Sequence, residues 1–190
     1  MKTSFKDIFS ITLIVSLICC CSGCVRTIGL YPQSAALGMT LENQKKLAQL
    51  NHWKITGAIS VTHRGNRNVA RFRWIQRDDD YQVYLFGPLN MGSIKIVGNS
   101  RGTELISDNG RIRASTLEQL LEKQFGYRIP ENVMRHWILG LYSKIPRGYQ
   151  VKFENYYYNQ EKEVFLPKII EIFHEATQIK IKTSGYHFNL

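Results

Sequence analysis

From Trp53 onward the chain alternates apolar and polar residues. Trp53, Ile55, Gly57, Ile59 and Val61 fall on one face and Lys54, Thr56, Ala58, Ser60 and Thr62 on the other, the period of a strand buried on one side. A turn over His63 to Asn68 leads into Val69 to Gln76, where Ala70, Phe72 and Trp74 alternate with Arg71 and Arg73. Asp78 to Asp80 is a turn, Tyr81 to Phe86 the next strand and Ser93 to Val97 the one after. Glu104 to Ser107 and Arg111 to Ala114 flank Asp108-Asn109-Gly110, a hairpin signal. Strands resume at Tyr149 to Glu154, Lys168 to His174 and Gln178 to Thr183, with Tyr156, Tyr157 and Tyr158 as a buried or rim cluster.

Helical spacing appears in three places. Thr40 is placed to cap a helix reaching about Leu50, with Leu41, Leu47, Ala48 and Leu50 as its apolar stripe. Ser115-Thr116-Leu117-Glu118 reads as a capping box ahead of Leu117, Leu120, Leu121 and Phe125, and Gly126 ends that helix. Pro130 starts another, with Val133, Met134, Trp137, Ile138 and Leu141 apolar and Gly140 near its end. The fold class expected is α+β, a mainly antiparallel sheet joined by hairpins with helices packed on one face.

The loop Gly87-Pro88-Leu89-Asn90-Met91-Gly92 stands out. Pro88 has no N–H for a ladder and the glycines tolerate reversal, so pairing stops there. Leu89 and Met91 are then apolar at a loop tip. Either Leu89 folds back onto the core, or it points outward into something apolar.

Composition changes the picture at the N-terminus. Lys2 and Lys6 precede an apolar run from Ile8 to about Cys21, too short for a comfortable membrane span and matching a secretory signal. All four cysteines, Cys19, Cys20, Cys21 and Cys24, lie at its end, which excludes thiol chemistry from the folded part. Ser22-Gly23-Cys24 resembles a bacterial lipobox, with Cys21 where Leu is usual, which implies a signal peptide over 1–23 and lipid attachment at Cys24. Val25 in place of Asp, by resemblance to enterobacterial sorting rules, implies the outer membrane. Residues 24–39, containing Pro32, read as a lipidated tether, and 40–190 as the folded domain.

The chain of 190 residues carries a net charge of +10, and removal of 1–23 leaves 23 basic and 14 acidic side chains, net +9. Nucleic acid and anionic membrane surfaces both attract such a chain. The export signal favours the membrane, and the cations are scattered through strands without a basic helix or stacked aromatics, so no nucleic-acid partner is expected.

No catalytic constellation is present. Gly-x-Ser-x-Gly, a phosphate loop and His-Glu-x-x-His are all missing. His52, His63, His136, His174 and His187 have no ligand spacing, and Asp108, Glu118 and Glu171 read as turn, cap and solvated face. The chain is read as not an enzyme, with no metal and no cofactor.

Trp74-Ile75-Gln76, Gly87-Pro88-Leu89, Ile129-Pro130-Glu131 through Trp137-Ile138-Leu139-Gly140-Leu141, Leu166-Pro167 and Gln178-Ile179-Lys180-Ile181 follow one another in an order that resembles the outer-membrane lipoprotein LolB family. The resemblance covers most of residues 40 to 190. It implies an unclosed antiparallel β-barrel with a helical lid and an apolar cavity, the fold shared by LolA and LolB. It further implies that the cavity takes the acyl chains of a lipoprotein from the periplasmic carrier LolA and that the cargo is then placed in the outer membrane. In that reading the partners are a LolA-type carrier, acylated lipoprotein cargo and outer-membrane phospholipid. The protein is expected to be a monomer, lipid-anchored on the periplasmic face. One departure is that Tyr142 to Arg147 is only a short connection where family members carry a further strand, so the sheet is expected to be one strand short.

Acyl chains lose about 0.8 kcal/mol per CH₂ exposed to water, so transfer through water requires an apolar shelter. Trp53, Phe72, Trp74, Leu85 and Trp137 are candidates to line it, the alternative being that they fill a small core. Pro88, Leu89 and Met91 are candidates for a membrane-insertion loop. The competing reading is a lipid-anchored envelope scaffolding or binding lipoprotein without acyl cargo.

Overall fold

The structure is a computed structural model and describes residues 36–87, 92–142 and 145–188. Helix α1 (Leu41–Ala48) precedes a meander of six strands, β1 (His52–His63), β2 (Asn66–Arg77), β3 (Asp80–Phe86), β4 (Ser93–Asn99), β5 (Gly102–Ser107) and β6 (Gly110–Ala114). Helices α2 (Leu117–Phe125) and α3 (Glu131–Leu139) follow. Three strands close the chain: β7 (Tyr149–Asn159), β8 (Val164–His174) and β9 (Thr177–His187). All nine pair antiparallel in the order β6-β5-β4-β3-β2-β1-β9-β8-β7. Strands β6 and β7 are the two edges and do not pair with each other, so the sheet is an unclosed barrel.

Two-residue turns set the register of the first hairpins. Arg64 and Gly65 both adopt positive φ, 49° and 83°, and join β1 to β2 with His63 opposite Asn66. This double left-handed turn matches the twist of the flanking strands. It also lets β2 begin at Asn66, three residues ahead of the apolar alternation. Gly57 sits where the β1–β9 register shifts. A Cβ there would collide with the Lys182 carbonyl and the Phe72 ring, so glycine leaves room for both.

Strand β8 starts at Val164, earlier than its sequence suggests, and includes Pro167. Its ladder with β7 runs its full length, but its ladder with β9 begins only at Ile169. Pro167 therefore stands where no donor is needed on the β9 side. Its carbonyl accepts from the Thr183 hydroxyl at 2.9 Å and the Tyr186 hydroxyl at 3.0 Å.

The helices lie over the apolar face, α2 against β5 and β6, and α3 and α1 against β8. Thr40 caps α1, its hydroxyl accepting from the Asn43 N–H. The buried side of α1 differs from the expected stripe: Leu41 is 71 % exposed and Ala48 is exposed, while Asn43, Gln44 and Leu47 face inward. Asn43 acts as a piece of strand. Its Nδ2 donates to the Gly38 and Phe165 carbonyls, and its Oδ1 accepts from the Phe165 N–H at 2.7 Å. Gln44 bonds the Gly38 and Gly140 carbonyls and accepts from the Tyr142 N–H. These bonds make Gly38 part of the fold, so ordered structure reaches into the segment read as tether; a Cβ on Gly38 would strike the Tyr156 ring.

The N-cap of α2 is Thr116, one residue later than the expected box, and accepts from the Gln119 N–H at 3.2 Å. The Glu131 carboxylate, from the first turn of α3, takes the Leu117 N–H at 2.8 Å, which ties the starts of the two helices together. Gly126 and Gly140 close α2 and α3 in left-handed conformation, φ 75° and 86°.

Candidate functional site

The apolar face is filled at one end and empty at the other. At the filled end Trp53 and Trp74 rings lie 5.6 Å apart and Trp74 and Tyr81 6.1 Å apart. The polar atoms of Trp74 and Tyr81 are satisfied internally: Trp74 Nε1 donates to Gln76 Oε1 at 3.1 Å, Gln76 Nε2 to the Asp78 carbonyl at 2.6 Å, and the Tyr81 hydroxyl pairs with Thr103 at 2.8 Å. Burial pushes the Tyr81 hydroxyl well above its ordinary pKa, with the nearby Glu131 carboxylate adding to it.

Toward the opposite strand ends a cavity of about 820 Å³ opens between sheet and helices. Its wall is Ile59 and Val61 from β1, Ala70, Phe72 and Trp74 from β2, Val83 and Leu85 from β3, and Ile94 and Ile96 from β4. Leu105 and Ile112 continue it, and Leu117, Leu121 and Phe125 of α2 with Met134 and Ile138 of α3 roof it. The rim is polar, with His63, Asn66, Asn68, Ser93, Ser107, Asn109, Arg111 and Gln124 around the opening. Such a volume falls within the range of about 300–1,000 Å³ typical of ligand sites. An apolar wall with a polar rim suits a ligand that is apolar along its length and polar at one end.

Three hairpin ends meet at this rim: the β1–β2 turn, the β5–β6 turn and the two glycines, Gly87 and Gly92, that bracket the β3–β4 loop. Gly87 N–H donates to the Gly92 carbonyl at 3.3 Å. Tyr127 stacks on Phe125, ring centroids 5.9 Å apart, and burial pushes its hydroxyl up to about 12, so it stays neutral beside the cavity. The roof is pinned to the sheet by Arg135, which reaches the Asp79 carboxylate at 3.4 Å and the Asp78 carbonyl at 3.3 Å. Among the described residues no three His, Cys, Asp or Glu side chains stand close enough together to hold a metal.

Of the residues singled out from sequence, Phe72, Trp74 and Leu85 are on the cavity wall. Trp53 and Trp137 are not. They are 1 % and 0 % exposed and belong to the packed core, Trp137 against the Tyr149 ring at 5.6 Å. Trp53 lies at the end that rings already fill, whereas Trp137 packs on Tyr149 of β7, which the register through His174 and Thr177 sets level with His63. Cys24 and the loop residues Pro88, Leu89 and Met91 lie outside the described residues. Sequence reasoning passed over the roof: Leu117, Leu121 and Phe125 carry the helical spacing of an apolar face, which announces burial but not whether the neighbour is a side chain or a void.

Residues 51–154 match the family model described as outer membrane lipoprotein LolB. The chain is similar to the outer-membrane lipoprotein LolB of Pseudomonas savastanoi pv. phaseolicola, 30 % identical over 135 residues that make up 68 % of this chain and 64 % of the relative. A relative of the same name from Francisella tularensis subsp. tularensis is 27 % identical over 143 residues, 73 % of this chain and 67 % of the relative. The match thus spans a little under two thirds of the Pseudomonas protein's own length. A solved LolA superfamily protein from Nitrosomonas europaea superposes with a TM-score of 0.45 at 10 % identity, over 78 % of this chain and 94 % of that one.

Proposed function

The chain belongs to the outer membrane lipoprotein LolB family, and from that membership we propose that it receives acylated lipoproteins from a LolA-type periplasmic carrier and releases them into the outer membrane. The observation that carries this reading is the apolar cavity of about 820 Å³, open at one end and roofed by two short helices. Each CH₂ kept from water is worth about 0.8 kcal/mol, so the wall from Ile59 to Ile112 is a reservoir for acyl chains. The cargo's polar end would remain at the rim, among Asn66, Asn68 and Arg111.

No nucleotide site is needed for such a transfer. It runs downhill if this cavity holds acyl chains more favourably than the carrier does and the bilayer holds them better still. Cys24 is the proposed acylated first residue of the mature protein. Leu89, with Pro88 and Met91, is the proposed membrane-insertion element; its bracketing glycines stand at the rim, where an apolar tip would meet the bilayer as the mouth approaches it. Burial of one Leu stabilises by roughly 1.5–3 kcal/mol, enough to orient the mouth and too little to anchor the protein.

Mixing the protein with a loaded LolA-type donor tests the reading. Cargo is expected to move to this chain; cargo that stays wholly on the donor, while the same donor unloads to another LolB, would overturn it. Leu89→Glu is expected to accept cargo and to fail in delivering it to vesicles. Unchanged delivery would remove the loop from the scheme.

A further inference from the structure

The opposite face of the sheet carries a second concavity, of about 490 Å³, behind the rim of the cavity. Its floor is the run of small outward side chains on β1, Ala58, Ser60 and Thr62. Long cationic side chains stand on both neighbouring strands: Arg67 of β2 is opposite Thr62, while Lys180 and Lys182 of β9 are opposite Ser60 and Ala58. Strands are about 4.8 Å apart, so the β2 and β9 rows are about 10 Å from each other across the floor. That gap admits a phosphate reached from both sides by flexible cations. No carboxylate lines the trough; Glu171, bonded to Lys180 at 2.6 Å, is the acidic partner among the described residues.

Its position gives it a use. Thr62 and Arg67 adjoin the β1–β2 turn, whose His63 and Asn66 form part of the cavity rim on the other face. A surface met by the rim is therefore within reach of the trough. We propose that this trough binds the phosphate of anionic phospholipid headgroups and so holds the mouth of the cavity against the bilayer. With Lys180 neutralised by Glu171, Arg67 and Lys182 on an open floor hold a single dissolved anion weakly, whereas a membrane presents many headgroups at once and raises their local concentration. The inference rests on the delivery reading, but its test uses neither cargo nor carrier.

The acylated protein is reconstituted in vesicles of phosphatidylcholine alone or with phosphatidylglycerol, and lysine acylation by a water-soluble reagent is read by peptide mass spectrometry. Labelling of Lys182 is expected to fall several-fold when phosphatidylglycerol is present, while Lys54, on the same face at the far end of β1, keeps its rate. About 1 M salt, where the screening length is about 3 Å, should abolish the protection, and Arg67→Gln should reduce it. Equal labelling of Lys182 in both vesicles would overturn the proposal, as would equal protection of Lys54, which would mean general adsorption. Protection by inorganic phosphate on phosphatidylcholine vesicles would assign the trough to a free anion and overturn the headgroup. Because cargo is not involved, a failed carrier assay leaves this result standing, and the reverse holds too.

Discussion

The two ends of the sheet's apolar face are built from the same alternation and reach opposite outcomes. At one end Trp53, Trp74 and Tyr81 touch, and Gln76 and Thr103 satisfy the polar atoms of Trp74 and Tyr81. At the other, Ile59, Val61, Ala70, Leu85 and Ile94 face a void. Side-chain size accounts for part of the difference: two indoles and a phenol meet at the filled end, while Phe72 at the open end has only branched aliphatics and Ala70 beside it on the sheet. The roof differs too: α2 and α3 are joined at their starts by Glu131, and Arg135 links α3 to the Asp78–Asp79 turn. An apolar cavity survives only where the elements around it are fixed by contacts elsewhere.

Substitutions can break this contrast. Trp53→Ala, at the filled end, is expected to cost about 3–5 kcal/mol of stability, since it opens a cavity among rings that cannot close over it; denaturant unfolding would read it, and a loss below about 1 kcal/mol would mean that this end is also loosely packed. Asn43→Ala, which leaves the Phe165 N–H and carbonyl without their side-chain partner, is expected to cost about 1–3 kcal/mol. At the open end Ala70→Phe is expected to change stability by less than about 1 kcal/mol, because the ring enters space already empty. It should nevertheless weaken binding of a fluorescent fatty acid by about tenfold or more. A severe loss of stability in that variant would show the cavity to be filled in solution.

Alkali sharpens the contrast in a smaller way. The Tyr127 hydroxyl has its pKa raised by burial from 10.0 to about 12. The folded state therefore holds its proton more tightly than the unfolded one, so its contribution is complete below about pH 10 and is lost as pH rises through about 12. Melting temperature is expected to fall across that window, and less steeply in Tyr127→Phe.

Much of the fold is legible in the sequence. The nine strands and three helices named among the described residues, the Asp108-Asn109-Gly110 turn and the two helix-ending glycines follow from spacing and turn chemistry. The limits are as instructive. Leu41 and Ala48 fit a helical stripe yet are exposed, because Asn43 and Gln44 take the inward positions by hydrogen-bonding backbone that only the tertiary fold brings near. For the site, Phe72, Trp74 and Leu85 were within reach of pattern reading, while Trp53 and Trp137 carry the same pattern and are core. Periodicity reports which face is apolar; the separation of sheet and roof decides whether that face is packed or empty, and it is set by distant contacts such as Glu131 to Leu117.

The central claim is that the open end holds acyl chains and the filled end does not. A lipoprotein bearing a photoreactive group near the end of an acyl chain, transferred to this protein and irradiated, reads that directly. The account predicts crosslinks to Phe72, Leu85 and Phe125 and none to Trp53 or Trp137. Crosslinks at Trp53 or Trp137, or bound cargo that labels no cavity residue, would contradict it.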